Sequence, residues 1–141
     1  MQSTLPIRLS LEESSVAALA EAADRLGDAA SADAFLSALD GNYRLWRALI
    51  DASRRNRWDL FDHRTSDFIM ATLRKCGRGV VDADIETLIE INHRTSRSLA
   101  PDGDVGRIRE RATLAWRKSS RNKALPLGAW LVDQIELRAG L

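Results

Sequence analysis

The chain has 141 residues, 45% of them hydrophobic and 29% charged, and its formal net charge is +1. These values are typical of one globular domain, and they exclude a protein that binds nucleic acid or membranes through net charge alone. A single cysteine, Cys76, excludes an internal disulfide and fits a reducing compartment. Because no segment resembles a signal peptide or an apolar span of about 18 residues, the sequence predicts a cytoplasmic protein.

Apolar residues recur at helical spacing along nearly the whole chain. This pattern predicts an all-α fold, a single compact bundle of five to six helices over residues 1–141. The first helix is expected to begin at a capping box formed by Ser10 and Glu13, and to end at a left-handed Gly27. Its inward face is Leu11, Val16, Leu19, Ala23 and Leu26.

The second helix is predicted to begin at the Ser31 cap and to run to about Arg55, with Gly41 marking a potential kink. Its apolar stripe consists of Phe35, Leu36, Leu39, Tyr43, Trp46, Leu49 and Ile50. A third helix is expected from about Asn56 to Cys76, where a glycine-containing segment ends it.

The second half of the chain predicts three further helices. Asp82 or Asp84 caps the fourth, and an aspartate of the turn at 101–104 caps the fifth, which covers about 105–121. A turn at Pro126 leads to the last helix. The predicted inward side chains of the fourth helix are Ile85, Leu88, Ile89, Asn92, Thr95 and Leu99. Those of the fifth are Val105, Ile108, Ala112, Ala115 and Trp116. Those of the last helix are Leu127, Trp130, Leu131, Gln134 or Ile135, and Leu137.

The only two histidines lie in matching segments, FDHRTSDFI at 61–69 and INHRTSRSL at 91–99. Protein zinc sites need three or four ligands, and no paired His or Cys spacing supplies them here. We therefore expect His63 and His93 to lie apart, with no metal and no cofactor between them. Cys76 precedes a glycine at a predicted helix C-terminus, where the helix dipole disfavours a thiolate. An enzyme is the class of protein that the sequence supports least.

A basic run, RIRERATLAWRKSSRNK at 107–123, contains seven basic residues, one acidic residue and Trp116. Such a run can contact RNA phosphates and stack an aromatic ring on a base. Alternatively, Trp116 faces the core and the arginines form a solvated helix back, which the helical spacing favours. The candidate anion-binding residues are Arg107, Arg109, Arg111, Arg117, Lys118 and Arg121. The charge is unevenly distributed, since residues 1–40 carry two basic and seven acidic side chains.

Two asparagines, Asn42 and Asn92, fall on the predicted apolar sides of their helices. A buried amide needs hydrogen-bond partners, which either fix the register between two helices or await the backbone of a binding partner. The sequence leaves both alternatives open.

Four segments together resemble the FlaF family, small flagellar biosynthesis regulators of alphaproteobacteria. ALDGNYRLWRALI (38–50) resembles the family's Ala-Leu-x-x-Asn-x-x-Leu-Trp stretch, and FDHRTSDFIM (61–70) is similar to its Asp-Arg/His-Arg/His-Thr segment. IETLIEINHRTSRSLA (85–100) resembles the closing Leu-Ile-x-Ile-Asn segment, and LEESSVAALAEAADRLGDA (11–29) the first helix. The order of the four segments is preserved.

Three features depart from the family pattern. The connection ASRRNRWDL (52–60) is shorter than the proline-containing connection usual in the family. Ser98 stands where a small glycine is usual, and residues 101–141, expected to form additional C-terminal helices, have no counterpart. The chain is therefore expected to be a divergent relative or one with a different partner.

The resemblance implies a non-enzymatic cytoplasmic protein that promotes flagellin synthesis and export, partly by binding flagellin as a chaperone. The partner-binding residues would then lie on two helical stripes that face each other or flank one groove. These residues are Asn42, Tyr43, Trp46, Leu49, Ile50, Leu88 and Asn92. The two HRTS segments would be matching polar turns of neighbouring helices. The alternative is an RNA-binding post-transcriptional regulator that uses the basic helix at 107–123.

Overall fold

The computed structural model describes residues 7–57, 63–75, 79, 81–119 and 124–140. These residues form six α-helices and one short 3₁₀ turn, without strands, so the all-α class is confirmed. The helices are α1 (Leu11–Asp28), α2 (Ala32–Asn56), α3 (His63–Arg74), α4 (Asp82–Leu99), α5 (Val105–Lys118) and α6 (Leu127–Ala139). None of these helices is both long and apolar enough to cross a lipid bilayer.

The central element is α1, which packs against α2, α4, α5 and α6. Residues 14–20 of this helix are all buried, so these two turns are covered on every side. Ser14 and Ser15 tolerate this burial because their hydroxyls donate to the Ser10 and Leu11 carbonyls, at 2.8 and 2.7 Å. The other helices are therefore arranged around these turns of α1.

Two contacts show that α6 runs antiparallel to α1. Near the end of α6, Arg138 Nε donates to the Leu9 carbonyl at 3.0 Å, just before the start of α1. Near the start of α6, a Cβ built on Gly128 would lie 3.6 Å from Glu21 Cγ, in the second half of α1.

The short connection at 29–31 also makes α2 antiparallel to α1, and Arg25 Nη2 donates to Ser37 Oγ at 3.4 Å across the turn. Consequently α2 and α6 run in the same direction over α1. Their C-terminal ends remain close together, since a Cβ on Gly140 would lie 3.5 Å from Arg55 Nε.

The predicted N-terminal caps of three helices are confirmed. Glu13 N donates to Ser10 Oγ and Ser10 N to Glu13 Oε1, both at 3.0 Å, which completes the capping box. Ser31 Oγ accepts from the Ala34 N–H at 3.1 Å, and Asp104 Oδ1 accepts from the Arg107 N–H at 3.0 Å. Each side chain satisfies a backbone donor that has no partner within its helix.

The cap of α4 differs from the prediction. Val81 occupies the N-cap position, Asp82 is already the first helical residue, and Asp84 Oδ2 accepts from the Val81 N–H at 3.4 Å. Asp84 therefore supplies the only side-chain contribution to this helix start among the described residues.

Two predicted boundaries were wrong, and the predicted end of the second helix is confirmed. Gly27 lies inside α1, which ends one residue later, and the chain leaves through an extended Ala29 rather than a left-handed residue. α2 passes through Gly41 without a break and ends at Asn56, one residue beyond the predicted end, followed by a left-handed Arg57 (φ 51°). The third helix begins at His63 rather than Asn56; residues 58–62 and 76–78 lie outside the described residues.

Two residues predicted to face the core are exposed, Leu36 at 47% and Leu137 at 62%. In α6 the buried residues Leu131, Ile135 and Ala139 recur every four positions, which leaves Leu137 on the opposite side. Leu36 shares the outer face of α2 with exposed Asp40, one turn further along the helix. The buried face of this helix contains Leu39 instead.

Candidate binding cleft and buried polar chain

A chain of three polar side chains joins α2 to α4 inside the core. Trp46 Nε1 donates to Asn92 Oδ1 at 2.8 Å, and Asn92 Nδ2 donates to Asn42 Oδ1 at 2.7 Å. All three residues have 0% exposure. Hydrogen bonds at such depth are strengthened by the low local dielectric, and their loss is correspondingly costly.

The direction of this chain follows from the tryptophan. An indole N–H can only donate, so it orients Asn92 with Oδ1 toward Trp46 and Nδ2 toward Asn42. Asn42 must then present Oδ1 to Asn92, which leaves its own Nδ2 buried without a partner among the described residues. The second buried donor of this kind is Trp130 Nε1, on a residue that is 5% exposed.

The two predicted asparagine stripes do face each other, but they meet inside the core rather than beside an open groove. Of the seven predicted partner-binding residues, only Tyr43 and Ile50 are partly exposed. The other five, which are buried, are Asn42, Trp46, Leu49, Leu88 and Asn92. Trp46, Leu49, Leu88 and Asn92 do not line the cleft described below and cannot touch a partner while the core stays closed, whereas Asn42 is among its lining residues. The role of these residues in partner binding stays a prediction.

The HRTS segments lie in different surroundings. The first opens α3, and the second lies in the last half of α4, where Ser96 Oγ donates to the Val16 carbonyl at 2.8 Å. His93 is half-buried. The His63 side chain and Cys76 lie outside what the structure describes, so the predicted separation of the two histidines stays a prediction. Within the described part of the chain, no group of His, Cys, Asp or Glu could hold a metal ion.

The predicted anion-binding residues do not form one free face. Arg109 Nη2 lies 2.6 Å from Asp24 Oδ2 and 3.8 Å from Glu21 Oε2. Arg111 Nε lies 3.0 Å from Glu13 Oε2. The acidic N-terminal part of the chain therefore pairs with α5 within the same molecule.

The remaining members of that set are more scattered. Arg107, Arg117 and Lys118 are exposed on α5, and Arg121 lies beyond the described residues. Trp116 is half-buried, and its Nε1 donates to the Leu125 carbonyl at 3.0 Å. The ring that was a candidate for base stacking is thus held against the chain.

Glu21 has an altered acidity at the contact between α1 and α5. Burial raises the pKa of its carboxyl above the ordinary value of 4.5, since desolvation disfavours the charged form. Arg109 and Arg25 lower this pKa in part, and Asp24 raises it further.

A cleft of about 740 Å³ lies between α1, α2 and α6. The part of α2 that lines it extends from Ser37 to Asp51, about 21 Å at about 1.5 Å per residue. Eight of its 21 lining residues are charged, and seven are alanine or glycine: Ala18, Ala22, Ala38, Gly41, Ala48, Gly128 and Ala129. Leu45 and Val132 add apolar surface, so an elongated trough with little side-chain bulk runs along the bundle.

Arg25 lies across one end of this cleft. Its Nη1 would be 3.9 Å from a Cβ on Gly41 and 3.8 Å from a Cβ on Gly128. Its Nη2 makes the long contact to Ser37 Oγ, and no described carboxylate forms an ion pair with it. The two glycines leave space around a half-buried guanidinium with hydrogen-bond donors to spare.

The other end of the cleft is acidic. Asp133 and Glu136 on α6 and Asp51 on α2 line it, and none of them makes an ion pair with a described residue. Measured from the glycines beside Arg25, Glu136 lies about 12 Å further along α6 and Asp51 about 15 Å along α2.

Glu21 and Asp40 also line the cleft at the Arg25 end, but each lies near another arginine, Arg109 at 3.8 Å and Arg44 at 3.0 Å. Without those pairs, the charge at one end is that of Arg25, and the charge at the other is that of three carboxylates, with Arg47 between the two ends.

Sequence reasoning missed this cleft. Gly41 was interpreted only as a weak point in a helix, and α6 was not connected with α2. A signal was present in the alanines and the glycine at helical spacing on α2, at positions 38, 41 and 48. That signal does not indicate which helix, if any, lies opposite.

No known protein family, curated protein or solved structure matches this chain. The fold and the cleft define its class: a small all-α bundle with an elongated trough of small residues between two parallel helices.

Proposed function

We propose that this protein is a non-enzymatic helical adaptor that binds an amphipathic helix of a partner in the cleft between α1, α2 and α6. The observation that carries the proposal is the shape and lining of this cleft. Its length matches about four turns of helix, and its small side chains allow a second backbone to approach closely. Grooves of this kind are a recurring way of binding amphipathic helices.

The partner is proposed to be flagellin or another flagellar protein, for which the adaptor acts as an export chaperone and regulator in the cytoplasm. Support for this assignment comes from the four collinear FlaF-like segments between residues 11 and 100. α6 lies outside that resemblance and yet forms one wall of the cleft. We therefore expect the client site to be particular to this chain, and the client segment to fit α6 as well as α2.

The rival function, RNA binding through α5, has weaker support. Two of its arginines are paired with α1, and the indole N–H of Trp116 is already used. Among the described residues of this basic run, the exposed cations that remain are Arg107, Arg117 and Lys118. Binding of RNA would depend steeply on salt concentration, whereas an apolar helix in a trough of small residues would depend on it only weakly.

The test uses the full chain and purified monomeric flagellin of the host, with binding measured by calorimetry. The Gly41→Leu variant places a bulky side chain in the trough at a helical position that favours leucine over glycine, so the fold is preserved. Gly106→Leu, on the exposed surface of α5, is the matched control.

We expect flagellin to bind the wild type and the Gly106→Leu control alike, and Gly41→Leu at least about tenfold more weakly. Failure of wild-type binding would overturn the flagellar assignment, and equal binding by all three proteins would overturn the cleft as the site. Salt-sensitive binding of a single-stranded homopolymer RNA, lost on replacing Arg107 and Arg117, would favour the rival function.

A further inference from the structure

The charge distribution along the cleft specifies a direction for its occupant. Arg25 lies at the end where α2 and α6 begin, and Asp51, Asp133 and Glu136 lie toward the end where they finish. A partner helix meets both ends at once only if it carries an acidic side chain and a basic side chain about eight to ten residues apart.

The helix dipoles reinforce this direction. α2 and α6 run the same way, so their positive N-termini lie together at the Arg25 end and their negative C-termini near the acidic end. A partner helix is favoured when its own negative C-terminus lies at the Arg25 end. It then runs antiparallel to α2 and α6.

Arg47 adds positive charge on the side of the cleft toward Arg25. Its guanidinium reaches backward along α2, where Nη1 donates to Tyr43 Oη at 3.3 Å, away from Asp51. Arg44, by contrast, is paired with Asp40 at 3.0 Å and contributes little net charge.

We infer that the cleft selects an amphipathic helix with a basic N-terminal half and an acidic C-terminal half, bound antiparallel to α2 and α6. In this complex Arg25 holds a carboxylate of the last turns, and Asp133 and Glu136 hold a lysine or arginine of the first turns. The inference rests on the proposed function, because it specifies the partner of the same cleft.

The test uses two synthetic helices of identical composition, each held helical by a side-chain lactam and each with an alanine- and leucine-rich face. One carries two lysines in its first turns and two glutamates in its last turns; the other has these charges exchanged. Binding to the full chain is measured by fluorescence anisotropy at low and at high salt concentration. A photo-crosslinker at the N-terminus of the first helix reports the direction of binding.

Exposed ion pairs and helix-dipole contacts are individually weak, so the first helix is expected to bind about three- to tenfold more tightly at low salt. High salt should reduce this preference. The double variant Asp133→Lys with Glu136→Lys should reverse it. The control double variant Asp67→Lys with Glu110→Lys changes the net charge by the same amount at exposed positions that do not line the cleft. It should leave the preference for the first helix unchanged. Crosslinks should form on α6 near Asp133.

Equal affinities of the two helices, or equal effects of the two double variants, would overturn the inferred polarity and leave helix binding in the cleft intact. Crosslinks near Gly128 would overturn the direction. If neither helix binds, both the polarity and the helix-binding cleft fail, whereas the flagellin measurement still tests the flagellar assignment on its own.

Discussion

Asn92 donates its amide N–H to Asn42 Oδ1 at 2.7 Å in the fully buried contact between α2 and α4. The two residues are 50 positions apart in the chain, and Trp46 completes the chain of hydrogen bonds. Because a slip of either helix would leave these groups without partners, the pair fixes the register of α2 against α4.

The first prediction concerns the different numbers of hydrogen bonds that Asn92 and Asn42 make in this buried network. Asn92→Ala removes the acceptor of Trp46 Nε1 and the donor to Asn42, whereas Asn42→Ala removes only the acceptor of Asn92. Both substitutions leave a similar cavity. Asn92→Ala should therefore lower the free energy of unfolding by about 1–3 kcal/mol more than Asn42→Ala. Chemical denaturation of both variants measures the difference, and the reverse order would contradict this hydrogen-bond assignment.

The second prediction concerns Trp46, which is completely buried. Trp46→Ala should lower the free energy of unfolding by about 3–5 kcal/mol, because it removes a large side chain from a close-packed core. Leu114→Ala is the control, since Leu114 is 45% exposed and its loss should change stability by less than about 0.5 kcal/mol. A stable, folded Trp46→Ala protein would place the indole outside the core.

The third prediction concerns the pairing of α5 with α1. Arg109→Met removes an ion pair with Asp24 that is partly open to solvent, so the loss of stability should be less than about 1 kcal/mol and should diminish with added salt. Arg107→Met changes the net charge by the same amount at an exposed position. Thermal melts at two salt concentrations compare the variants, and a large salt-independent loss in Arg109→Met would indicate a structural role beyond the ion pair.

The fourth prediction is a pH dependence from Glu21. Burial raises the pKa of this carboxyl in the folded protein above 4.5. Between the ordinary pKa and the raised one, the folded state therefore keeps a proton that the unfolded state has released. The contribution of Glu21 to stability therefore falls as pH rises from its ordinary pKa through the raised one. Glu21→Gln should be more stable than the wild type at about pH 7, with the difference disappearing below about pH 4. Unfolding measured in both proteins across this range would detect an opposite trend.

The fifth prediction concerns the cost of leaving glycine in the middle of α2. A Cβ at Gly41 would meet only Arg25 Nη1, at 3.9 Å, which is an ordinary contact. Gly41→Ala should therefore raise the free energy of unfolding by about 1 kcal/mol through helix propensity. Denaturant midpoints would measure the gain. A loss of stability would show that the Arg25 guanidinium cannot move aside.

The sequence determined much of the local structure. The capping residues Ser10, Ser31 and Asp104 marked three helix starts correctly, because a cap is a contact within one turn of the chain. The periodic stripes also identified Asn42 and Asn92 as inward-facing polar residues, since helical spacing alone decides which side chains share a face.

Only the tertiary structure decided what those faces meet. Periodicity specifies a buried face but not the element that covers it, so the sequence left the asparagine stripes as either a core contact or a groove. The ion pairs of Arg109 with Asp24 and of Arg111 with Glu13 join residues more than 80 positions apart. The cleft joins α2 (Ala32–Asn56) to α6 (Leu127–Ala139), which are also far apart in the chain. Their formation depends on the packing directions of whole helices, which are set by the sum of many apolar contacts around α1 and by no local signal in the chain.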